Sequence, residues 1–400
     1  MTALDRARRH ESRLLAASRP GLPVLLALGR FARPVQRVPG LGWLVGDPVT
    51  ARRILTDPDH FTTIGEGVVG HLWARVLGDW VYDMLDGPGH RALRTKTRTL
   101  FTDDWAAVVV SRAVGSRLRR CTAELSAGGV VDVADLSRVL VGRVVADLLG
   151  LPVGAARATG GDADDDAYRQ VFDTGTRLAT LALRSTGSTH LPARSVAAAR
   201  AMVTRMTAGV AAGWREAPGD TLLGRCRELG LDLRQTRCLA TLLIVAGTQT
   251  TASAMARTVA LLHDTTEQHR LRAEPGRMAD AIREGLRVTT PVPVITRSVS
   301  ADVDVAGRRL RAGQRVLLLT HRADNAAGGF DLDRARRPDN RQLSFGAGRH
   351  FCLGAPLGHA ELSSLLDALL ATGRPWRIVE RRYGRGVLIP AYARLRLALA

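Results

Sequence analysis

The stretch Phe345-Gly346-Ala347-Gly348-Arg349-His350-Phe351-Cys352-Leu353-Gly354 contains one cysteine among three glycines, near the end of a chain of 400 residues. Glycines allow backbone angles that other residues disfavour, and they let a flat cofactor lie close to the main chain. A cysteine on such a loop turns its sulfur outward, where backbone N–H groups can stabilise a thiolate. The spacing of apolar residues after the loop is typical of a helix, whose N-terminal dipole also favours negative charge on sulfur. The loop therefore predicts a thiolate beside a flat cofactor.

The composition around this loop is that of a globular protein. The hydrophobic fraction of 46% is sufficient for a large buried core. No internal repeat and no Pro/Ser/Gly linker divides the chain, so we expect a single domain over residues 1–400. The apolar run at 22–28 is too short to span a bilayer and lacks the cleavage pattern of a signal peptide. The sequence therefore predicts a soluble, cytoplasmic protein that does not bind a membrane.

The formal net charge is +19, and it comes almost entirely from arginine, since Lys96 is the only lysine. The basic residues are spread along the whole chain. They are accompanied by no helix-turn-helix signature, zinc-finger spacing or aromatic RNA-binding strand, which argues against a nucleic-acid partner. Two interpretations remain, a solvated arginine-rich surface and a positive face that attracts an acidic electron-transfer partner.

Hydrophobic periodicity predicts a mainly α-helical fold with small β-sheets. The clearest helices are expected at 136–149, 195–215 and 232–263. The last of these would be roughly 48 Å long and must cross the core. Strands are expected at 294–299, 303–305 and 315–319, and a late hairpin from 377–379 and 392–399. The acidic run at 162–166 is interpreted as a solvated turn, because it lacks the glycine and distal glutamate of a calcium loop.

The cysteine loop resembles the haem-binding signature of the cytochrome P450 family, and the resemblance extends over nearly the whole chain. The matching positions are Phe345, Gly346, Gly348, Cys352 and Gly354. The resemblance implies the cytochrome P450 fold and makes Cys352 the axial ligand of haem b, iron protoporphyrin IX. Thiolate ligation favours O–O cleavage, which distinguishes these enzymes from histidine-ligated haem carriers. His350 matches a position that usually contacts a haem propionate.

A charge network is expected behind the loop. Glu284 and Arg287 are spaced i and i+3, a pair that alone is common on exposed helices. The pair precedes Cys352 by the distance at which the family carries its Glu-x-x-Arg motif. Arg337, eight residues before Phe345, matches a second family arginine that binds this glutamate. By resemblance these three residues form a buried network whose role is folding and haem retention, because an unpaired buried member would cost several kcal/mol.

Three basic residues match the family positions that bind the haem propionates. His90 and Arg94 are spaced i and i+4 and would face the same way, and a dianionic haem needs such cations. The family has the same His-x-x-x-Arg spacing there. Arg297, after a proline-rich turn, matches a third position.

The long helix carries a segment that resembles the oxygen-binding groove of the family. Ala246 and Gly247 are small and would leave room for dioxygen, and Thr250 matches the threonine that directs protons to it. Gln249 stands where the family has Asp or Glu, and an amide cannot shuttle a proton by ionising. Two readings stay open. In the first, protons pass through water and Thr250 while Gln249 only orients the chain. In the second, the substrate supplies part of the relay, or the enzyme performs a radical coupling that needs no conventional hydroxylation cycle.

The resemblance implies a monooxygenase that oxidises a hydrophobic small molecule, in secondary metabolism by analogy with similar bacterial enzymes. Oxidative ring or C–C coupling of an aromatic or peptide substrate is the alternative, motivated by Gln249. A peroxygenase would be expected to replace the acid–threonine pair with arginine and proline, and a haem sensor would have no reason to keep Thr250. The expected substrate pocket consists of Leu243, Ala246, Val292, Val294 and Ile295.

Electron transfer requires a separate partner, because the sequence has no flavin or NAD motif. The expected donors are an acidic ferredoxin and a ferredoxin reductase. Gly358 and His359 stand where the family usually has alanine and arginine, on the side where a redox partner docks.

Overall fold

The computed structural model of the protein describes residues 2–29, 34–65, 68–78, 80–150, 162–184, 192–335 and 342–400. Most of them are helical. The helices in chain order are α1 (Ala3–Ser18), α2 (Gly21–Leu28), α3 (Pro48–Thr56), α4 (Val69–Leu77), α5 (Trp80–Leu85), α6 (His90–Arg98), α7 (Asp103–Ser126), α8 (Val133–Leu148), α9 (Asp162–Arg184), α10 (Ala193–Met206), α11 (Val210–Glu216), α12 (Leu222–Glu228), α13 (Leu233–Asp264), α14 (Glu267–Ala273), α15 (Met278–Thr289), α16 (Thr320–Asp324) and α17 (Ala355–Leu370).

The strands form three small sheets. In chain order they are β1 (Val35–Val38), β2 (Gly42–Val45), β3 (Phe61–Thr62), β4 (Val131–Asp132), β5 (Ile295–Val299), β6 (Val303–Val305), β7 (Arg308–Leu310), β8 (Arg315–Leu318), β9 (Trp376–Tyr383) and β10 (Tyr392–Leu399). The largest sheet has the order β1-β2-β8-β5-β3, the second β4-β10-β9, and the third pairs β6 with β7. The prediction of a mainly helical fold with small sheets is confirmed.

The long helix α13 organises the core. It begins at a capping box in which Asp232 and Gln235 each accept a hydrogen bond from the other's backbone N–H. Its second half is buried, and α13 packs against α8, α9, α15 and α17. Among the described residues it is the one helix long and apolar enough to match a membrane span, and 56% of its most apolar stretch is buried inside the protein.

Two predictions about the helices were wrong. Residues 162–166 form the first turn of α9 and not a solvated turn, because Asp165 is buried and accepts hydrogen bonds from Arg117 (2.7 Å) and Arg143 (3.1 Å). The acidic run also suits a helix N-terminus, where the dipole favours negative charge. The helix expected at 195–215 is divided into α10 and α11, with Gly209, a poor helix former, at the break.

Candidate active site

The cysteine loop has a sharply folded backbone between two short 3₁₀ turns and the start of α17. The backbone N–H of Cys352 donates to the carbonyl of Phe345 at 2.8 Å, which closes the loop. Gly346 has φ +73°, and a Cβ there would lie 2.9 Å from the His350 carbonyl oxygen. Gly348 has φ +59° and lies against Thr56 of α3. Both glycines are therefore required by conformation, as the sequence indicated.

The sulfur of Cys352 lies in a groove of about 860 Å³. Cys352 is exposed to this groove, yet the surrounding chain desolvates its sulfur and raises the pKa of the thiol, whereas the backbone N–H groups of Gly354 and Ala355 and the guanidinium of Arg94 act in the opposite direction. These N–H groups belong to Gly354, which caps α17, and to Ala355, its first residue. They therefore lie at the positive end of the helix dipole. The loop thus supplies the sulfur with donors that suit a thiolate.

The expected propionate-binding residues converge on one side of this groove. His90 is buried at the start of α6, and its ring lies 5.1 Å from that of His350. Arg94 follows one turn later on α6 and also lines the groove. Arg297 on β5 is 6% exposed, and burial lowers its pKa to about 10. Burial lowers the pKa of His350, and the guanidinium of Arg297 and the ring of His90 act in the same direction, so both lie near His350.

Asp86 joins the loop to the N-terminal part of the chain, and its role was not anticipated from the sequence. Its carboxylate accepts hydrogen bonds from Arg349 (2.6 Å), His350 (3.0 Å) and the backbone N–H and hydroxyl of Thr63. Burial alone would raise the pKa of Asp86, but the hydrogen bonds from His350 and Thr63 hold it well below its usual range. Asp86 directly precedes the Gly-Pro-Gly-His run that contains His90, so its position in the motif was the available signal.

These residues fit a flat dianionic group with a thiolate ligand. Among the described residues no carboxylate lies within ion-pair distance of Arg94 or Arg297, although Arg297 is almost fully buried. A buried cation without a paired anion is costly, and an anionic ligand in the groove would offset that cost. The positive-φ glycines keep side chains away from the main chain beside the sulfur. The donor set therefore suits haem, with its two propionates.

The charge network behind the loop is formed by Glu284 and several arginines. Arg287 makes two hydrogen bonds to the Glu284 carboxylate, at 3.0 and 2.8 Å, and both side chains are buried. Arg334 also donates to Glu284, at 3.1 Å, and Arg283 does so at 3.0 Å. Arg337, the residue expected to bind Glu284, lies outside the described residues. Within them, Arg334 makes the contact that the sequence assigned to Arg337.

The network reaches the cysteine loop through Asp324, another residue that the sequence did not reveal. The guanidinium of Arg287 donates to the Asp324 carbonyl at 2.8 Å. The Asp324 carboxylate accepts the backbone N–H groups of Leu343 (2.7 Å) and Ser344 (3.2 Å), which begin the turn before the loop. Burial raises the pKa of Asp324 to about 6. The position of the loop is therefore coupled to the buried network.

The segment expected to bind oxygen lies on α13 as a continuous helix. Ala246 is exposed, and nothing approaches Gly247 within 4 Å on its open side. The Thr250 hydroxyl donates to the carbonyl of Ala246 at 2.7 Å, as a back-bonded helix threonine does. The side-chain oxygen of Gln249 is buried without a hydrogen-bond partner.

The five expected pocket residues are only partly brought together. Leu243 lines a small cavity between α8, α13 and α17, together with Gly247. Ile295 packs against the hydrophobic cluster of the five-stranded sheet. Val292 and Val294 are half-buried beside it. Val292, Val294 and Ile295 do not line the cavity that contains Leu243.

Comparison with known proteins agrees with this geometry. A family model described as Cytochrome P450 matches residues 221–372. Cytochrome P450-SU2 of Streptomyces griseolus is 32% identical over 345 residues, which cover 82% of this chain and 79% of that protein. The crystal structure of P450BioI, in complex with an acyl carrier protein ligated with hexadec-9Z-enoic acid, has a TM-score of 0.74 and 21% identity, over 96% of this chain and 99% of that one.

A second solved structure is that of HmtN, a post-tailoring hydroxylase involved in himastatin biosynthesis. It has a TM-score of 0.68 and 26% identity, over 94% of this chain and 96% of that one. The predicted P450 fold is thereby confirmed. Proteins of this family bind haem b through a cysteine thiolate. The chain therefore belongs to the cytochrome P450 family and is a P450 monooxygenase.

Proposed function

We propose that this single-domain protein uses Cys352 as its haem ligand and hydroxylates a hydrophobic small molecule. The observation that carries the proposal is the donor set around the sulfur, namely the N–H groups of Gly354 and Ala355 and the nearby Arg94. When bound, a thiolate-ligated haem supplies the reductive activation of dioxygen that an oxidation of this kind needs. Residues of the chain would bind and orient the haem, and other residues would hold and move protons on the side opposite Cys352.

His90, Arg94, Arg297 and His350 are proposed to hold the two propionates. Each is a cation or a hydrogen-bond donor, and His350 lies close to both His90 and Arg297. Asp86 would hold the His350 ring in place through its 3.0 Å hydrogen bond. Phe345 would shield the sulfur, since its ring packs against those of Phe351 (6.2 Å) and His359 (5.8 Å).

The network of Glu284, Arg287 and Arg334 would act in folding and haem retention. It lies behind the loop and fixes the Leu343–Phe345 turn through Asp324. Its members do not line the groove that contains Cys352. A change in this network should therefore alter stability and haem content before it alters specificity.

Ala246, Gly247, Thr250 and Gln249 are proposed to form the oxygen side of the site. The open space beside Gly247 gives room for a small ligand. The Gln249 side-chain oxygen, buried without a partner, is available to accept a hydrogen bond from water or substrate. The Gln249 side chain cannot release a proton by ionising, so protons must come from another group of the chain or from the substrate.

A substrate from secondary metabolism is supported by the similarity to HmtN, a tailoring hydroxylase at 26% identity. The half-buried Val292, Val294 and Ile295, together with Ala246, would provide an apolar wall. The second candidate is oxidative ring or C–C coupling of an aromatic or peptide substrate, which the neutral Gln249 favours. Product analysis with labelled dioxygen separates the two, because hydroxylation incorporates one labelled oxygen atom and coupling incorporates none.

The electron donors are proposed to be an acidic ferredoxin and its reductase, in the cytoplasm. Five arginines line the groove that contains Cys352 and would attract an acidic surface; they are Arg52, Arg91, Arg94, Arg98 and Arg349. Rates of reduction by a surrogate ferredoxin should fall steeply with ionic strength.

The central test is the absorption spectrum of the reduced protein with carbon monoxide. The wild-type protein should show the band of a thiolate-ligated haem, and Cys352→Ser should lose it. Cys121→Ser is a matched control, because Cys121 is a free, buried cysteine of α7. A wild-type band at the shorter wavelength of a neutral ligand, or a normal band in Cys352→Ser, would refute the assignment.

A further inference from the structure

A second large groove lies between α1, α2 and α16, and it is also lined by the turn that leads from β2 into α3. Its volume is about 820 Å³, within the roughly 300–1,000 Å³ of sites that hold small molecules. Among the described residues, none that lines this groove also lines the groove that contains Cys352. The two grooves are therefore separate, and a ligand in one does not occupy the other.

Arg322 of α16 is the only arginine or lysine among the described residues that line this groove. Its side chain passes between two glycines, Gly29 and Gly46. A Cβ on Gly46 would lie 2.8 Å from the Cδ atom of Arg322 and 2.9 Å from its Nε, and a Cβ on Gly29 would lie 3.1 Å from Cδ. Neither glycine has a positive φ, so both are needed for space and not for backbone conformation. The two glycines form a slot that fixes the path of the Arg322 side chain.

The cation of this groove has no anionic partner. The Nε atom of Arg322 is buried without a hydrogen-bond acceptor, and among the described residues no carboxylate lies within ion-pair distance of the guanidinium. Asp47, the one acid in the described lining, instead caps α3, where it accepts hydrogen bonds from the N–H (2.7 Å) and hydroxyl (2.6 Å) of Thr50. Burial lowers the pKa of His321 to about 3, so this lining residue adds no charge at neutral pH. Because a buried donor without an acceptor is costly, an anion in the groove would offset that cost.

The helix α2 gives the groove an apolar wall. Pro23, Leu26 and Ala27 of α2 line it, together with Leu15 of α1. None of the eight residues of α2 has a polar side chain, yet only Leu22 is buried in the protein. A helix of this composition is normally covered on more than one side. Hydrocarbon that lies along α2 would leave water and cover apolar side chains, which favours binding.

We propose that this groove is a second binding site of the protein, for an amphipathic organic anion. The carboxylate of the ligand pairs with the guanidinium of Arg322, and its hydrocarbon chain lies against α2. Binding is non-covalent and takes place away from the haem. The helix α16 also carries Asp324, whose carboxylate holds the turn before the cysteine loop. A ligand bound to Arg322 thus contacts the helix that supports this loop, and it should stabilise the folded protein.

The first test measures the binding of decanoate, a straight-chain carboxylate, by titration calorimetry. The haem-loaded protein is first saturated with imidazole, so the haem absorption spectrum reports any displacement from the haem side. The wild type should bind decanoate and raise its melting temperature, while the spectrum of the imidazole complex stays unchanged. Decanol, which has the same chain without the charge, should bind at least about tenfold more weakly. Absence of decanoate binding, or equal affinity for decanol, would overturn the proposal.

The second test locates the site with Arg322→Gln. This variant should bind decanoate about 10- to 100-fold more weakly than the wild type, the usual size of a hydrogen bond to a charged group. Arg308→Gln is the matched control, because Arg308 is an exposed arginine of β7 that does not line the groove. The control removes the same charge and should keep the wild-type affinity. Equal affinities of the two variants would contradict the assignment of Arg322.

A third variant, Ala27→Phe, keeps the test decisive if Arg322→Gln does not fold. Ala27 is exposed on α2, so the larger side chain can enter the groove without disturbing the core. This variant retains Arg322 and should still lose decanoate binding, because the phenyl ring takes the place of the hydrocarbon chain. Full binding by Ala27→Phe would place the ligand elsewhere and overturn the proposal. All variants should keep the wild-type carbon monoxide band, which reports separately on Cys352 as haem ligand.

Discussion

The charge network behind the Cys352 loop and the cavity between α8, α13 and α17 differ in how their buried polar atoms are satisfied. In the network, the Glu284 carboxylate accepts hydrogen bonds from three arginines, and Arg287 donates to three backbone carbonyls. Around the cavity and its helix, the Thr248 hydroxyl, the Gln249 side-chain oxygen and Glu361 Oε1 are buried without partners.

The difference indicates two kinds of task. A network in which one buried carboxylate is paired with three arginines favours one conformation, because removal of the carboxylate leaves buried charge unpaired. Unpaired polar atoms lower stability and are retained where a ligand, water or proton must bind. Substitutions should therefore have large effects on stability in the network and small or favourable effects along α13.

The largest loss of stability is expected for Glu284→Ala. The substitution leaves the buried Arg287 without its anion and should lower the free energy of unfolding by about 3–5 kcal/mol, measured by urea denaturation. Haem content should fall with it. Asp333→Ala is the control, since Asp333 pairs with Arg270 and Arg277 on the surface, and it should have no measurable effect. A small loss for Glu284→Ala would remove the distinction between the two regions.

Asp324 should give the network a characteristic pH dependence. Its pKa is raised from 3.8 to about 6 in the folded protein, so the folded state favours the protonated form. The stability from this group is fully present below about pH 4 and is lost as the pH rises through 6. The pKa shift is roughly two units, and each unit corresponds to about 1.36 kcal/mol. Relative to Asp324→Asn, the free energy of unfolding of the wild type should therefore fall by about 3 kcal/mol as the pH rises through this interval.

The control for this pH effect is Asp264, a buried aspartate with the opposite shift. Hydrogen bonds from His263 and Arg381 outweigh the effect of burial and lower the pKa of Asp264. Its contribution is present at neutral pH and is lost as the pH falls. The difference between the wild type and Asp264→Asn should therefore slope the other way, and equal slopes for the two variants would contradict both assignments.

Arg334→Ala tests which arginine is the third member of the network. The substitution removes the hydrogen bond to a carboxylate that keeps two other arginines, and it also removes the bonds from Arg334 to the carbonyls of Ala327 and Gly329. A loss of about 2 kcal/mol is therefore expected. Arg337→Ala is the direct comparison, because the sequence assigned the same contact to Arg337. Equal or greater destabilisation by Arg337→Ala in thermal unfolding would favour the sequence-based assignment.

The smallest effect is expected on α13. Thr248 is fully buried with an unpaired hydroxyl, so Thr248→Val should leave stability unchanged or raise it by up to about 1 kcal/mol. Thr241→Val is the matched control on the same helix, since the Thr241 hydroxyl donates to the Arg237 carbonyl at 2.8 Å. That variant should lose about 1 kcal/mol. A reversed order of the two in urea denaturation would show that Thr248 has a partner.

The local patterns were sufficient for much of the fold. The bounds of α13 and the strands β5, β6, β8 and β10 follow from periodicity and caps, which depend on neighbouring residues only. The conformation of the cysteine loop could also be predicted from the sequence, because the need for glycine at positive φ is set by the local backbone.

Contacts between distant segments could not be read in this way. Arg334 belongs to an arginine-rich run, and only the three-dimensional path of the chain shows that it reaches Glu284. Asp165 became part of α9 because of arginines on α7 and α8. Glu361, between Ala360 and Leu362, looks like a surface residue of an amphipathic helix until the packing of α8 and α13 is known.

The contact between Asp86 and the pair Arg349 and His350 spans more than 260 positions of the chain. A ribosome must have synthesised the chain past His350 before this contact can form. Until then the cationic residues of α6 are present without the loop that completes the groove. Cofactor loading therefore follows synthesis of the cysteine loop, and in a cell short of haem the finished chains would lack the cofactor and be open to proteases.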